Sequence, residues 1–397
     1  MKAVCAILCA TCVGVGSGNG QTWTPTSLNT NYYWRGVASS ADGTKLAAAA
    51  SDSAGDGIYL STNSGATWTP AQAPSGGWGP IVYSAGGTEL VAANAGVGGI
   101  YISTNSGATW NQANVPVEQW SSIAVSADGT KLLAGYPPDD VGPADIYAST
   151  NSGNSWFQPT NIDGSSIAVA CSADGSRMAA LTYGGEGQSV LIVSTNFGLN
   201  WQPAAPSGAE FGLGCAADGT KLYAAGTNFY MSPNWGATWP SSGPEAPVFG
   251  LFACSANGSV LSGRGPGNDT FPIYTSRDGG STWTSNDVPP AVWTAFACSA
   301  DGNTLVAAAE PEGSTGGGIW VSKMPPSPHL NVISLNGNLN FSWIVPSTNM
   351  VLELSLNLSP VNWSILTNSP SLNLANLQEQ LTLRSTNGHA FFRLVSQ

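Results

Sequence analysis

Between residues 20 and 323, short apolar runs alternate with turn signals at regular intervals. One stretch can be traced in full. "WGPIVYS" (Trp78 to Ser84) is a first strand, "AGGT" a turn, and "ELVAAN" a second strand. "AGVGG" is a loop, "IYIS" a third strand, "TNSGA" a second turn, and "TWNQ" an outer strand. Apolar runs of four to six residues bounded by Gly, Asn and Ser predict strands rather than helices. The unit is therefore a meander of four short strands, with "WGPIVYS" innermost.

Two motifs recur through this region. The first is an eight-residue box: "STNSGATW" at Ser61 and again at Ser103, "STNSGNSW" at Ser149, "STNFGLNW" at Ser194, "SPNWGATW" at Ser232 and "SRDGGSTW" at Ser276. The second precedes it in each unit: "SADGTKL" at Ser40, "SAGGTEL" at Ser84, "SADGTKL" at Ser126, "SADGSRM" at Ser172, "AADGTKL" at Ala216, "SANGSVL" at Ser255 and "SADGNTL" at Ser299. Asp-Gly and Asn-Gly between apolar runs are strong hairpin signals, because tight turns need φ > 0. A four-strand unit repeated about every 44 residues predicts a β-propeller blade.

The box resembles S-x-D-x-G-x-T-W, the Asp-box or BNR repeat of sialidase-like β-propellers. "SRDGGSTW" matches fully, and Asn63, Asn105, Asn151, Asn196 and Asn234 stand in the Asp place of the other copies. Asn can make the same turn hydrogen bonds. The resemblance implies a fold and leaves activity open, because the box is a structural turn. It implies that Trp23, Trp68, Trp110, Trp156, Trp201, Trp239 and Trp283 pack against the blades.

Seven "SADG" elements meet only six complete boxes. The seventh unit reaches "GIWVS" (Gly318 to Ser322) and breaks off, and its missing half, "GQTW", stands at Gly20 to Trp23. The expected fold is all-β: a seven-bladed propeller over residues 19–323, closed by the N-terminal strand so that no blade edge is left open. "PPSPH" then reads as a linker over 324–330. Residues 331–397 carry alternating runs such as "LNFSWIV" and "VLELSLNL" and predict a small β-sandwich, immunoglobulin- or fibronectin-like. It resembles C-terminal modules of secreted bacterial repeat proteins.

Composition narrows the setting. Charged residues are 9 % of the 397, and the formal net charge is −12, which argues against nucleic acid as a partner. No apolar run is long enough to span a membrane. Residues 1–18, with one Lys, an apolar stretch and small residues, have the pattern of a secretory signal peptide. An extracellular, cell-surface or periplasmic protein is expected. Cys171, Cys215, Cys254 and Cys298 hold one repeat position, 44, 39 and 44 residues apart. Equivalent sites in successive blades do not meet the Cα separation of under about 7 Å that a disulfide needs, so these four read as buried small hydrophobes. No CxxC pair or histidine cluster supports a metal, and no cofactor is expected.

Both turn motifs fall at one end of the blades, and the other two loop sets fall at the opposite end. Of 21 acidic residues in the propeller, fourteen map to that loop end: Asp52, Asp56, Glu118, Asp139, Asp140, Asp145, Asp163, Glu186, Glu210, Glu245, Asp269, Asp287, Glu310 and Glu312. Only Arg35 and Arg264 oppose them there. Such a surface suits a basic partner or a hydroxylated ligand. Trp34, Trp78, Trp120, Ser166, Glu210, Phe249 and Trp293 share one position at the entry of the innermost strand. The aromatic ones could ring the mouth of a channel and stack on a neutral glycan, with Glu210 accepting hydroxyl hydrogen bonds. The competing expectation is that they fill the space between blades.

Enzyme readings have less behind them. Sialidases grip a carboxylate with three arginines, and this end has two. Photosystem assembly factors with similar repeats use an arginine patch, which is absent. A glycoside hydrolase needs only two carboxylates, and Asp139, Asp140, Glu186 or Glu210 could serve. The expected function is a secreted or cell-surface binding or scaffolding module for a neutral glycan or a protein; the alternative is a glycoside hydrolase with a carboxylate pair at the loop end.

Overall fold

The computed structural model describes residues 21–396 apart from 29, 52–55, 137–145, 161, 163–164, 184–188, 205–208, 227, 241–249, 268–269, 312–316, 325–330, 336–337, 345–349, 356–363, 367–370, 374–377 and 385–390. The expected signal segment, the linker from residue 325 on and Phe249 lie outside the described residues. The chain divides into two compact units, with the boundary between Lys323 and Met324.

Among the described residues, the first unit holds seven small antiparallel sheets. The first sheet runs Trp34–Ser39, Leu46–Ala50, Gly57–Ser61 and Thr69–Pro70 in sequence order. The second repeats it with Trp78–Tyr83, Leu90–Asn94, Ile100–Ser103 and Asn111–Gln112. The inner strands of the next five are Ser122–Val125, Ser165–Cys171, Ala209–Cys215, Phe252–Cys254 and Trp293–Cys298. In the third sheet the outer strand shrinks to one bridge, Ala148 to Phe157.

The seventh sheet is completed from the other end of the unit. Thr24 pairs with Val321 and Pro25 with Trp320. The outer strand was expected to include the box Trp, yet in each complete case it begins just after it. The reason is local. The indole N–H bonds back to the box glycine carbonyl, as Trp68 Nε1 does to Gly65 O at 3.1 Å, so the Trp backbone still belongs to the turn.

The second strands explain the core. "LAAAA" (Leu46–Ala50) is buried at all five positions. Leu46, Ala48 and Ala50 pack with Val306, Ala308, Ile319 and Val321 of the seventh sheet. Ala47 and Ala49 pack the other way, with Trp78, Ile81, Leu90 and Ala92 of the second. A strand covered on both faces reads as a continuous apolar run. Corresponding clusters fill the spaces between the other consecutive sheets. Neighbouring inner strands come close: a Cβ on Gly36 would stand 2.3 Å from Gly79 O.

A cycle of backbone hydrogen bonds ties the sheets at the turn end. Ala41 N donates to Ala85 O, Ala85 N to Ala127 O, Ala127 N to Ala173 O, and Ala173 N to Ala217 O. Ala217 N then donates to Ala256 O, Ala256 N to Ala300 O, and Ala300 N returns to Ala41 O. Each bond joins the second residue of one "SADG" turn to its counterpart in the next sheet, at 2.7–3.0 Å.

The second unit is also all-β. Asn331–Leu335, Asn338–Ile344, Gln378–Arg384 and Ser371–Asn373 form one sheet in that order; Ser364–Ile365, Met350–Ser355 and Phe391–Ser396 form another. Leu339, Phe341, Leu352 and Leu381 share a core, and the Phe341 and Phe392 rings meet across the two sheets at 4.5 Å.

Candidate functional site

The turn end is built from local side-chain chemistry. In the first box, Ser61 Oγ donates to Asn63 Oδ1 and accepts from Gly65 N at 2.8 Å, while Asn63 Oδ1 accepts from Thr67 N at 2.8 Å. Asp278 does the same work in the sixth sheet, accepting from Thr282 N at 2.8 Å and from Thr282 Oγ1. With Asn the direction at the Thr reverses, and Asn63 Nδ2 donates to Thr67 Oγ1. The chain turns through positive φ at Ser64, Ser106, Ser152, Phe197 and Trp235.

The "SADG" turns follow one plan. Ser126 Oγ donates to Asp128 Oδ1 at 2.6 Å, and Thr130 N donates to the same oxygen. These bonds hold the Asp128 carboxyl down at about 2, below the usual carboxylate range. Asp174, bonded first by Ser172, and Asp218, bonded first by Thr220 N, are lowered likewise.

Side chains after these turns stitch the sheets together. Lys45 Nζ donates to Gly87 O and Ser106 Oγ, Arg177 to Gly219 O, and Lys221 Nζ to Asn257 O. Lys131 and Arg177 also lie over the Phe197 and Trp235 rings, at 5.8 and 5.9 Å. Lys45, Lys131, Arg177 and Lys221 are therefore spent on the fold, while Lys323 is exposed. Glu89 breaks the series: it is buried, with Oε1 lacking a hydrogen-bond partner. Burial, and then the nearby Asp128 charge, push its carboxyl up to about 7.

At the loop end the structure corrects the aromatic platform. Trp34 and Trp78 are 0 % exposed, and Trp120 and Trp293 are nearly so. Trp34 meets Tyr59 edge-on at 5.5 Å, Trp78 meets Tyr101 at 5.3 Å, and Trp120 meets Tyr136 at 5.3 Å. Trp120 Nε1 donates to Gly98 O and Trp293 Nε1 to Phe271 O. A ring with no exposed face cannot stack on a sugar, so these four are packing between sheets. Glu210 lies in the strand Ala209–Cys215, and its side chain is outside the described residues. Ser166 is buried.

The two loop-end arginines are partnered. Arg35 pairs with Glu310 and lies 5.7 Å over the Tyr33 ring. Arg264 is half-buried, 4.5 Å over the Phe271 ring. Of the fourteen acids mapped here, Asp56, Glu118, Asp287 and Glu310 are described with their side chains, and Asp56 and Asp287 are exposed. Sequence reasoning missed an apolar pair at the same end. Val97 is 68 % exposed and Val117 53 %, and they flank the bridge joining Gly98 to Glu118. Isolated valines in a repeat read as core, so only the placed loop reveals them as surface.

The box tryptophans are half-buried or buried, and Trp68, Trp110, Trp156, Trp201 and Trp283 each bond a box glycine carbonyl. Trp23 and Trp239 sit in core clusters without such a bond. The four cysteines are free, as expected, but half-buried rather than fully buried. Cys215 Sγ lies 3.1 Å from Cys171 O, and Cys254 Sγ 3.1 Å from Cys215 O. Burial pushes the thiols up, to about 12 at Cys171 and about 11 at Cys254. Among the described residues, no group of three or more His, Cys, Asp or Glu side chains could hold a metal ion. No helix among them is long and apolar enough to cross a membrane.

These features define an all-β protein of propeller-like build. No family model and no curated protein matches the chain. Solved structures do. YCF48 from Cyanidioschyzon merolae is 14 % identical over 76 % of this chain and 98 % of its own, with a TM-score of 0.54. YCF48 bound to D1 peptide is 15 % identical over 78 % and 98 %, also at 0.54. The WD40 repeats of RRP9 are 13 % identical over 75 % and 98 %, again at 0.54. At these identities the likeness is one of fold.

Proposed function

We propose that the chain is a binding scaffold: a seven-bladed β-propeller closed by its N-terminal strand and followed by a small β-sandwich, which takes a protein or peptide partner at its loop end. The single observation that carries this is the contrast in how the two ends use their polar groups. The turn end bonds Lys45, Lys131, Arg177 and Lys221 within the fold, leaving Lys323 and Leu199 exposed. The loop end leaves Asp56, Asp287, Val97 and Val117 to solvent. Exposed acids and an exposed apolar pair on one end suit a partner that is basic with an apolar anchor. That a related fold, YCF48, binds a peptide supports this reading. The glycan reading has lost its platform, since the rings are buried.

The cycle of seven turn-to-turn bonds and the pairing of Thr24–Pro25 with the last sheet support the blade count and the closure. The box hydrogen bonds support the Asp-box resemblance. The pattern of residues 1–18 supports secretion, which N-terminal sequencing of exported protein tests. The binding role is tested by selecting a displayed random peptide library on the full chain. Enrichment of basic peptides whose affinity falls with salt is expected. Enrichment of acidic peptides, or of none, counts against the scaffold.

A further inference from the structure

Position 89 carries an acid where four of the other six repeats have Lys45, Lys131, Arg177 and Lys221 and two have Val260 and Thr304. Lys45, Glu89, Lys131 and Arg177 each leave their own turn and lie over the glycine of the next, whereas Tyr223 takes that place over Gly258. Lys45 Cδ and Glu89 Cδ occupy the same place, each 2.7 Å from where a Cβ on Gly87 or Gly129 would stand. The lysine continues for two more atoms. Its ammonium then bonds Gly87 O at 3.0 Å and Ser106 Oγ at 3.1 Å. Glutamate ends one bond short of that point.

The groups that receive the ammonium have counterparts at the Glu89 seam. Ser152 corresponds to Ser106: both have φ 57, and both donate their backbone N–H to the preceding turn, to Thr130 O and Thr88 O. Gly129 corresponds to Gly87. The surroundings are oxygen-rich and anionic. Glu89 Oε1 is buried without a hydrogen-bond partner, and Asp128 adds a second carboxylate whose Oδ2 accepts from Thr130 Oγ1. Lys45 is directed to Gly87 O, while Lys131 Nζ donates to Thr130 Oγ1 and Thr150 O and its charge acts on Asp128, leaving Glu89 as the carboxylate without a partner.

We propose that the seam between the second and third sheets, built from Glu89, Asp128, Ser152 and the Gly129 carbonyl, is a binding site for calcium, which stands in for the lysine ammonium of the neighbouring seam. Carboxylate, carbonyl and hydroxyl oxygens are the ligands calcium prefers, and water completes its shell of six to eight. The ion bridges two sheets, so binding it raises the stability of the whole ring. This site is independent of the partner surface at the loop end.

The test is thermal unfolding of the full chain, first stripped with EDTA and then titrated with calcium chloride, against sodium chloride of equal ionic strength. A saturable rise in Tm specific to calcium is expected. Glu89→Gln should abolish the rise. Glu89→Lys should melt above the parent in EDTA and ignore calcium, because the ammonium then fills the place. The proposal is overturned if calcium up to about 10 mM leaves the parent unmoved, a level well above the 10⁻⁴–10⁻³ M constants of weak extracellular sites. It is also overturned if Glu89→Gln keeps the full shift, which would put the ion elsewhere. A parent that ignores calcium but gains stability on acidification in EDTA would mean that a proton, not a metal, satisfies Glu89.

Discussion

The two ends of the first unit are made by different rules. At the turn end, each "SADG" turn hands one backbone hydrogen bond to the next, and the cycle returns to its start. Its side chains largely repeat in kind: Ser to Asp, Thr N–H to Asp, and, from Lys45 and Arg177, a cation to the neighbouring glycine carbonyl. At the loop end nothing repeats so strictly. There, Arg35 meets Glu310 across 275 positions of sequence, and Val97 and Val117 stand out in solvent. One end is a hoop under the geometric demand that sheets close around an axis. The other is freed from that demand and can vary to suit a partner.

Changes to the hoop should cost stability, and changes to the loop end should not. The largest effect is expected from removing residues 1–26, which deletes Trp23 and the strand Thr24–Pro25. The last sheet then shows an unpaired edge, and the protein should melt far lower and associate. Removing residues 1–18 should leave melting unchanged. Equal melting of the two truncations, with both monomeric by size-exclusion chromatography, would break the closure.

Next is Trp78→Ala, expected to cost about 3–5 kcal/mol in denaturant unfolding as a large core side chain is lost. A loss under about 1 kcal/mol would mean that the ring packs loosely and would reopen its role as a platform. The same substitution at exposed Val97 should stay within about 0.5 kcal/mol.

An acid titration sharpens the contrast further. Asp128, Asp174 and Asp218 are held below their usual range by turn hydrogen bonds, Asp128 at about 2. Their stabilisation is complete above the unfolded carboxylate range near 4 and fades as pH falls below it, for Asp128 through about 2. Melting in EDTA should therefore drop between pH 4 and 2, and Asp128→Asn should flatten part of that drop. Asn257 already fills this place in the sixth sheet, taking Ser259 N at 2.9 Å, so the amide fits. An unchanged slope would remove these turns from the acid response.

The smallest effect concerns Phe197, a bulky residue at φ 62. Glycine relieves that strain by about 1–2 kcal/mol but gives up the contact with Lys131. A net gain of about 1 kcal/mol or less is expected from Phe197→Gly. A net loss would mean that the ring contact outweighs the backbone.

Which parts of this were legible in the sequence follows from how local the chemistry is. The turns are local: a Ser, an Asp and a Gly within four residues set both φ and hydrogen bonds, so seven copies could be counted and the split seventh unit joined. The side-chain direction of Trp34 is not local. The register slips between Trp34 and Gly36, and that slip helps decide whether the entry residue points to a channel mouth or into the space between sheets. The Arg35–Glu310 pair joins opposite ends of the repeat array, and no periodicity announces it. Glu89 stood in plain view as "TEL" among "TKL" turns. Its weight came only with its burial and the glycine beneath it.

The most direct test of the scaffold takes one basic peptide selected on the full chain and measures its affinity for three forms. These are the parent, a loop-end variant carrying Glu118→Lys and Asp287→Lys, and a turn-end variant carrying Lys131→Glu. The loop-end variant should bind at least about tenfold more weakly, a loss of about 1.4 kcal/mol, with its melting unchanged. The turn-end variant should bind like the parent. Binding that survives the loop-end changes and fails with Lys131→Glu would place the partner on the hoop and contradict the account.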